Sequence, residues 1–194
     1  MRAFIAIELP QAVQAALADV QRELAKAQAD VKWVEKDHLH VTMRFLGEIT
    51  EEKRQAIERF LDTIASHTRP ISVSLSHLGA FPTVSSPRVI WAGIGQGSDA
   101  LEQIARELEG GLRTLHLPGE DRAFAAHVTL GRVRSSRNRA QLVSRMRELA
   151  WSPPGPFAAG HLTLFQSTLT GSGPIYTPLA KFPFTAEFGM RNSE

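Results

Sequence analysis

His40-Val41-Thr42-Met43 recurs 87 residues later as His127-Val128-Thr129-Leu130. Each copy lies in a β-forming run flanked by amphipathic helical stretches. A further histidine trails each copy, His77 by 37 residues and His161 by 34. The chain therefore reads as a duplicated unit. It is expected to form one domain over 1–194 made of two interleaved lobes, with motif strands near 38–46 and 123–133. Side chains two apart in a strand share a face. His40 and Thr42 project together, with Val41 and Met43 behind them; His127 and Thr129 do the same against Val128 and Leu130. Related lobes that face each other leave a cleft, where ligands commonly bind.

Strands and helices alternate outward from these runs. Strands are expected at 2–8, 71–78, 88–94, 157–166 and 175–184. Residues 71–78 alternate strictly, with Ile71, Val73, Leu75 and His77 on one face and serines on the other. A helix is expected over 10–29, with Pro10 at its start and Val13, Leu17, Val20 and Leu24 at helical spacing. Thr50 caps the next helix, whose apolar stripe is Ile57, Phe60, Leu61 and Ile64. Further helices are expected at 99–115 and 139–149, the latter capped by Asn138 with Gln141 three residues on. The Pro/Gly clusters at 153–156 and 171–174 read as turns. The fold class is α+β: bilobal, with antiparallel sheets flanked by helices around a central cleft.

At 194 residues with 43% hydrophobic content, the chain suits one folded domain and is too apolar to be disordered. No apolar run approaches the roughly 18 residues that suggest a membrane span, and the N-terminal apolar stretch is too short for a signal peptide. A cytoplasmic protein is expected. Cysteine is absent, which excludes disulfides, thiolate nucleophiles and zinc-thiolate sites. Net charge is only +2 although the sequence pI is about 9.3. With no Cys and one Tyr, little titrates between His and Lys, so the titration curve is flat and the pI overstates basicity. Distribution matters more: Arg132, Arg134, Arg137, Arg139, Arg145 and Arg147 put six arginines within 16 residues. That is either a phosphate-seeking patch or a solvated helix face.

Two imidazoles and two hydroxyls in one cleft suit displacement at phosphorus. A base must take the nucleophile's proton and an acid must protonate the leaving oxygen, and two histidines can share these roles near neutral pH. Threonine hydroxyls can donate to the non-bridging oxygens. No metal or other cofactor is expected. Phosphate-binding glycine loops, serine elbows and His-Glu-x-x-His helices are all missing from the sequence. His161-Leu162-Thr163-Leu164 also fits the pattern but corresponds in the repeat to the strand of His77, so it reads as structural. His77 reads as a core or cleft-wall residue and His38 as a flanking residue that could orient His40. His67 and His116 lie at helix ends.

These residues resemble the 2H phosphoesterase superfamily, named for its paired His-x-Thr/Ser-x motifs. Longer strings are similar to its bacterial and archaeal RNA 2′,3′-cyclic phosphodiesterases, also called 2′-5′ RNA ligases. They include Arg2-Ala3-Phe4-Ile5-Ala6-Ile7, His40 through Glu48, Leu78 through Pro82, Pro87 through Trp91, Arg122 through Arg132 and Gly173-Pro174-Ile175-Tyr176. Ala126 departs from the proline usual before the second motif. The resemblance implies a pseudo-two-fold fold and metal-independent opening of a ribose 2′,3′-cyclic phosphate to a 2′-phosphate. It assigns His40 and His127 as catalytic and Thr42, Thr129 and Arg132 as phosphate-binding; the sequence does not order the two histidines, and His40 is taken here as base and His127 as acid. Arg132 has the wrong strand parity to join Thr129 unless Gly131 permits a bulge. Phe45 either stacks on a base or packs in the core. The expected partners are RNA ends or nucleotides bearing a 2′,3′-cyclic phosphate, the protein acting as a monomer without a membrane or obligate protein partner. The reverse reaction would join a cyclic end to a 5′-hydroxyl without ATP. Two alternatives stand beside this reading: a phosphodiesterase for another small 2′,5′- or cyclic-phosphate nucleotide, and a non-catalytic RNA-binding module using the arginines.

Overall fold

Strand β1 (Arg2–Glu8) is the inner rail of the first lobe: Ile5 and Ile7 are buried on one face while Phe4, Ala6 and Glu8 share the other. The computed structural model describes residues 1–187. After β1 come α1 (Gln11–Ala25), β2 (Val31–Trp33), a short 3₁₀ turn (Lys36–His38), β3 (His40–Glu48), α2 (Glu51–Ser66), β4 (Ile71–Val73), β5 (Leu75–Thr83) and β6 (Ser86–Ile94). The second half holds α3 (Ser98–Thr114), β7 (His127–Val133), α4 (Arg139–Glu148), β8 (Phe157–Ala159), β9 (His161–Thr170) and β10 (Gly173–Pro183).

The expected α+β architecture with antiparallel sheets is observed. The two lobes join in one eight-stranded sheet ordered β10-β9-β1-β3-β7-β6-β5, with β2 also on β7. Where the lobes meet, β3 and β7 share a single antiparallel pair, Val41 opposite Val128. Beyond it β3 leaves, and β2 pairs with residues 131–133 of β7 instead. The small sheet β4-β8 joins the segments that lead into β5 and β9. Helices α2 and α3 pack in the lobe of β3, α2 on β9 and β10 and α3 on β3, whereas α1 and α4 pack together in the lobe of β7. The lobes therefore exchange segments. The helices bury one face of the sheet, where Ile5, Ile7, Val41, Val128, Leu130, Ile90, Leu162 and Leu164 join the helical Leu17, Leu61, Leu108 and Leu142 in one core. Each such side chain contributes about 1.5–3 kcal/mol on burial.

Several boundaries differ from expectation. The 71–78 strand breaks at Ser74, whose hydroxyl accepts from Gln96 N at 2.9 Å, and 157–166 breaks at Gly160. Helix α1 stops at Ala25, and the chain reverses through Gln28 at φ 56°. Strand β7 begins at His127, so 123–126 are not strand. Thr50 caps α2 as expected, its hydroxyl accepting from Lys53 N at 3.1 Å. Asn138 does not cap α4 with its side chain. It adopts φ 51° and donates to the Gln28 carbonyl instead.

Candidate active site

Because β3 and β7 run antiparallel through the Val41–Val128 pair, His40 lies opposite Thr129 and Thr42 opposite His127. Both valines are buried behind the sheet, so the two histidines and two threonines stand on the same open face. A local two-fold axis through this pair relates the two motifs.

Each motif strand then carries a bulge at its fourth residue. On β3, Ala6 pairs with Thr42 and Ile5 with Arg44, leaving Met43 extra. On β7, Trp91 pairs with Thr129 and Ile90 with Gly131, leaving Leu130 extra. An extra residue shifts the alternation by one. Phe45 and Arg132, each five residues past its histidine, are thereby returned to the cleft face. The charge of Arg132 acts on both His127 and Tyr176, which agrees with that placement. The parity objection to Arg132 is thus removed by the backbone. Gly131 is needed for a further reason: a Cβ there would come within 2.7 Å of Val31 and 2.8 Å of Trp33 on β2. Phe45 is 58% exposed, so it is a cleft residue and not core.

Both imidazoles are oriented by backbone. His40 Nδ1 donates to the His38 carbonyl at 2.5 Å, and His127 Nδ1 donates to the Ala125 carbonyl at 2.6 Å. A carbonyl only accepts, so Nδ1 carries the proton in each ring and Nε2 is left for chemistry. His38 does orient His40, but through its main chain; its ring packs on Tyr176 at 4.5 Å. His40 Nε2 accepts from the Thr42 hydroxyl at 2.8 Å. Burial pushes the His40 imidazole down to about 4, with the His38 carbonyl and the Glu8 charge opposing. Burial also lowers His127, opposed by the Ala125 carbonyl and assisted by Arg132.

The walls are aromatic. Phe4 stacks on His40 at 5.1 Å, with Phe165 and Tyr176 beyond it. Across the seam Phe81 meets His127 edge-on at 5.2 Å, and Trp91 lies between His127 and His77. His77 is therefore an exposed cleft-wall residue. The look-alike motif has a separate partner: His161 Nε2 donates to Glu8 at 2.9 Å and Thr163 to the same oxygen at 2.7 Å, with Lys181 3.1 Å away. Burial would raise the Glu8 carboxyl, but these three donors outweigh it and hold it below the usual range. Glu8 itself was not singled out by sequence. Its signal is parity, since a carboxylate closes an apolar strand on the side that faces His40. Tyr176, Phe165 and Trp91 lacked even that. His67 pairs with Glu107 at 2.9 Å at the end of α2, and His116 turns the chain after α3 at φ 62°. Of the arginine-rich segment, Arg132 is the residue whose charge acts on the cleft groups His127 and Tyr176. Arg134 pairs with Asp30, and α4, carrying Arg139, Arg145 and Arg147, packs against α1 behind the sheet. No helix among the described residues is long and apolar enough to cross a membrane.

The family model for LigT-like phosphoesterases matches residues 7–91 and again 94–176. An RNA 2′,3′-cyclic phosphodiesterase of Methanocaldococcus jannaschii is 36% identical over 176 residues, 91% of this chain and 96% of that protein. A protein of the same name from Archaeoglobus fulgidus is 34% identical over 94% of this chain and 99% of its own. Among solved structures, Escherichia coli LigT complexed with 3′-AMP superimposes with a TM-score of 0.76 at 27% identity, over 95% of this chain and 98% of that one.

Proposed function

Since the chain belongs to the LigT-like phosphoesterase family, we propose that this cyclic phosphodiesterase opens the 2′,3′-cyclic phosphate of RNA ends or nucleotides to a 2′-phosphate, with His40 and His127 as its acid–base pair. The observation that carries the reading is the single Val41–Val128 pair, which sets two His-x-Thr units face to face about one local axis. His40, the more depressed imidazole, is neutral at physiological pH and suits the base. Its Nε2 takes a proton from water as the oxygen attacks phosphorus. His127 Nε2, protonated, donates to the departing 3′ oxygen. Thr42 turns its hydroxyl from His40 to one non-bridging oxygen, Thr129 serves the other, and the Arg132 guanidinium offsets the charge that builds on both. A bound phosphate anion favours the charged form of both imidazoles, opposing the effect of burial. Phe45 gives the terminal base an exposed ring to stack on. Microscopic reversibility lets the same groups join a cyclic end to a 5′-hydroxyl, although water at about 55 M makes hydrolysis the main outcome. We further read the chain as one domain formed by duplication of interleaved units, a reading supported by the twofold match of the family model.

The test is hydrolysis of 2′,3′-cyclic AMP with and without EDTA, with the product assigned by phosphorus NMR. The parent is expected to give a 2′-phosphate and to resist EDTA. His40→Ala and His127→Ala should each lose about 10²–10⁴-fold in kcat/KM. Activity surviving either change removes that residue from the mechanism.

A further inference from the structure

One face of the sheet carries a row of polar side chains across four adjacent strands. Glu8 on β1 stands opposite His40 on β3, Ala6 pairs with Thr163 on β9, and Thr163 pairs with Lys181 on β10. Side chains two apart share a face, so Glu8 lies on the cleft side together with His40, His161, Thr163 and Lys181. His161 and Thr163 form the look-alike His-x-Thr unit. Their donors and the Lys181 ammonium all meet at Glu8 Oε2, at 2.9, 2.7 and 3.1 Å. We propose that Glu8, gripped by this third unit, is a positioning residue for His40, its fixed negative charge favouring the imidazolium that His40 becomes on taking a proton. The proposal rests on the two-histidine reading above.

Opposite residues of an antiparallel pair lie about 4.5–5.5 Å apart at Cα, and Glu8 and His40 border one cavity. Both ring nitrogens of His40 have other partners, the His38 carbonyl and the Thr42 hydroxyl. Glu8 therefore acts through its charge and leaves Nε2 to the substrate. The grip serves that role twice. It fixes a carboxylate that is one-third exposed and would otherwise turn to water. Burial would raise the Glu8 carboxyl, yet His161, Thr163 and Lys181 hold it below the usual range, so it keeps its charge further into acid. The remaining charges around His40 do different things. Burial disfavours its proton, the His38 carbonyl favours it, and the His38 and His127 rings oppose it. Arg132 on β7 acts on His127 and on Tyr176 of β10. Asp37, in the 3₁₀ turn, borders the same cavity but is exposed, and α1 brings only the Gln11 and Gln14 amides. As the proton of the attacking water passes to His40 Nε2, the ring becomes a cation in a half-buried site, and Glu8 is the carboxylate whose charge stabilises it.

The experiment follows the His40 ring by proton NMR in the full chain, its resonance assigned by its loss in His40→Ala, beside the pH dependence of kcat on 2′,3′-cyclic AMP. Glu8→Gln keeps the shape and an acceptor oxygen but removes the charge. It should lower the pH at which His40 titrates, about 4 in the parent, by about half a pH unit. The acidic limb of kcat should move the same way, and its plateau should fall about three- to tenfold because the base is weaker. Lys181→Met removes the opposing cation. It should move both midpoints upward, by less because Lys181 is half exposed. Asp37→Asn should move neither. Circular dichroism at each pH confirms the fold, and Lys181→Met keeps the test if Glu8→Gln does not fold. A purely structural Glu8 would lower the plateau and leave the His40 titration in place. That result, or shifts of the same sign in Glu8→Gln and Lys181→Met, overturns the role of Glu8 alone. A parent that opens no cyclic phosphate overturns the two-histidine reading and the proposal with it.

Discussion

Each imidazole is aimed by a main-chain carbonyl two residues upstream, so the side chain at that position is free to vary. Histidine stands at 38 and alanine at 125, yet both rings are fixed in the same tautomer. This is why His38 looked more informative in the sequence than its ring is in the fold. Arg132 allows a signed prediction. Its charge lowers the His127 imidazole, so Arg132→Gln should raise it. If His127 is the acid, its protonated form then persists to higher pH. The alkaline limb of the kcat/KM profile should move upward while the plateau falls, because the phosphate loses a cation. A falling plateau with an unmoved limb would separate Arg132 from His127. The acidic limb belongs to His40, which gains its proton as pH falls through about 4.

At the level of elements, the two bulges decide which residues reach the cleft. The Gly131→Ala methyl would press on Val31 and Trp33 and push β2 from the edge of β7. We expect a loss of about 1–3 kcal/mol in denaturant unfolding. We also expect a drop in kcat/KM, since Arg132 is aimed by the same backbone. Full activity with lowered stability would show that the bulge survives without the glycine. The duplicated motif, the strand parity of His40, Thr42, His127 and Thr129, and the Thr50 cap were legible because they depend on local spacing. The bulges were not, since a bulge exists only in the register between two strands. The breaks at Ser74 and Gly160 have the same character: β4 and β8 leave their runs to pair with each other. Likewise the partners of Glu8 became visible only once β1 was laid against both β3 and β9.

For the molecule as a whole, the two lobes solve one packing problem differently. Four residues past each motif histidine stands Gly131 in one lobe and Arg44 in the other. Gly131 makes room for β2. Arg44, 8% exposed, instead reaches Glu109 at 3.0 Å and Glu120 at 3.3 Å and donates to the carbonyls of Phe45 and Pro118. It thus ties the segment after α3 to β3 without strand pairing. Arg44→Met keeps the bulk and removes the charge. It should cost about 2–3 kcal/mol, less than for a fully buried pair because both carboxylates keep some contact with solvent. Denaturant unfolding measures this, and a loss below about 0.5 kcal/mol would mean that the segment is held by its apolar contacts alone.

Within the large sheet the lobes meet at one pair, Val41–Val128, while the β4–β8 ladder joins them a second time. When one rigid body turns against another, displacement grows in proportion to distance from the pivot. His40, Thr42, His127 and Thr129 adjoin Val41 and Val128, about 3.3 Å along the strand, while Phe45 and Arg132 stand four residues away. A rocking of the lobes wide enough to admit or release a polymer end would sweep those outer residues through an arc several times larger than that of the reacting groups. For a turn about the Val41–Val128 pair, the spacing between the proton donor and acceptor changes less than the width of the mouth.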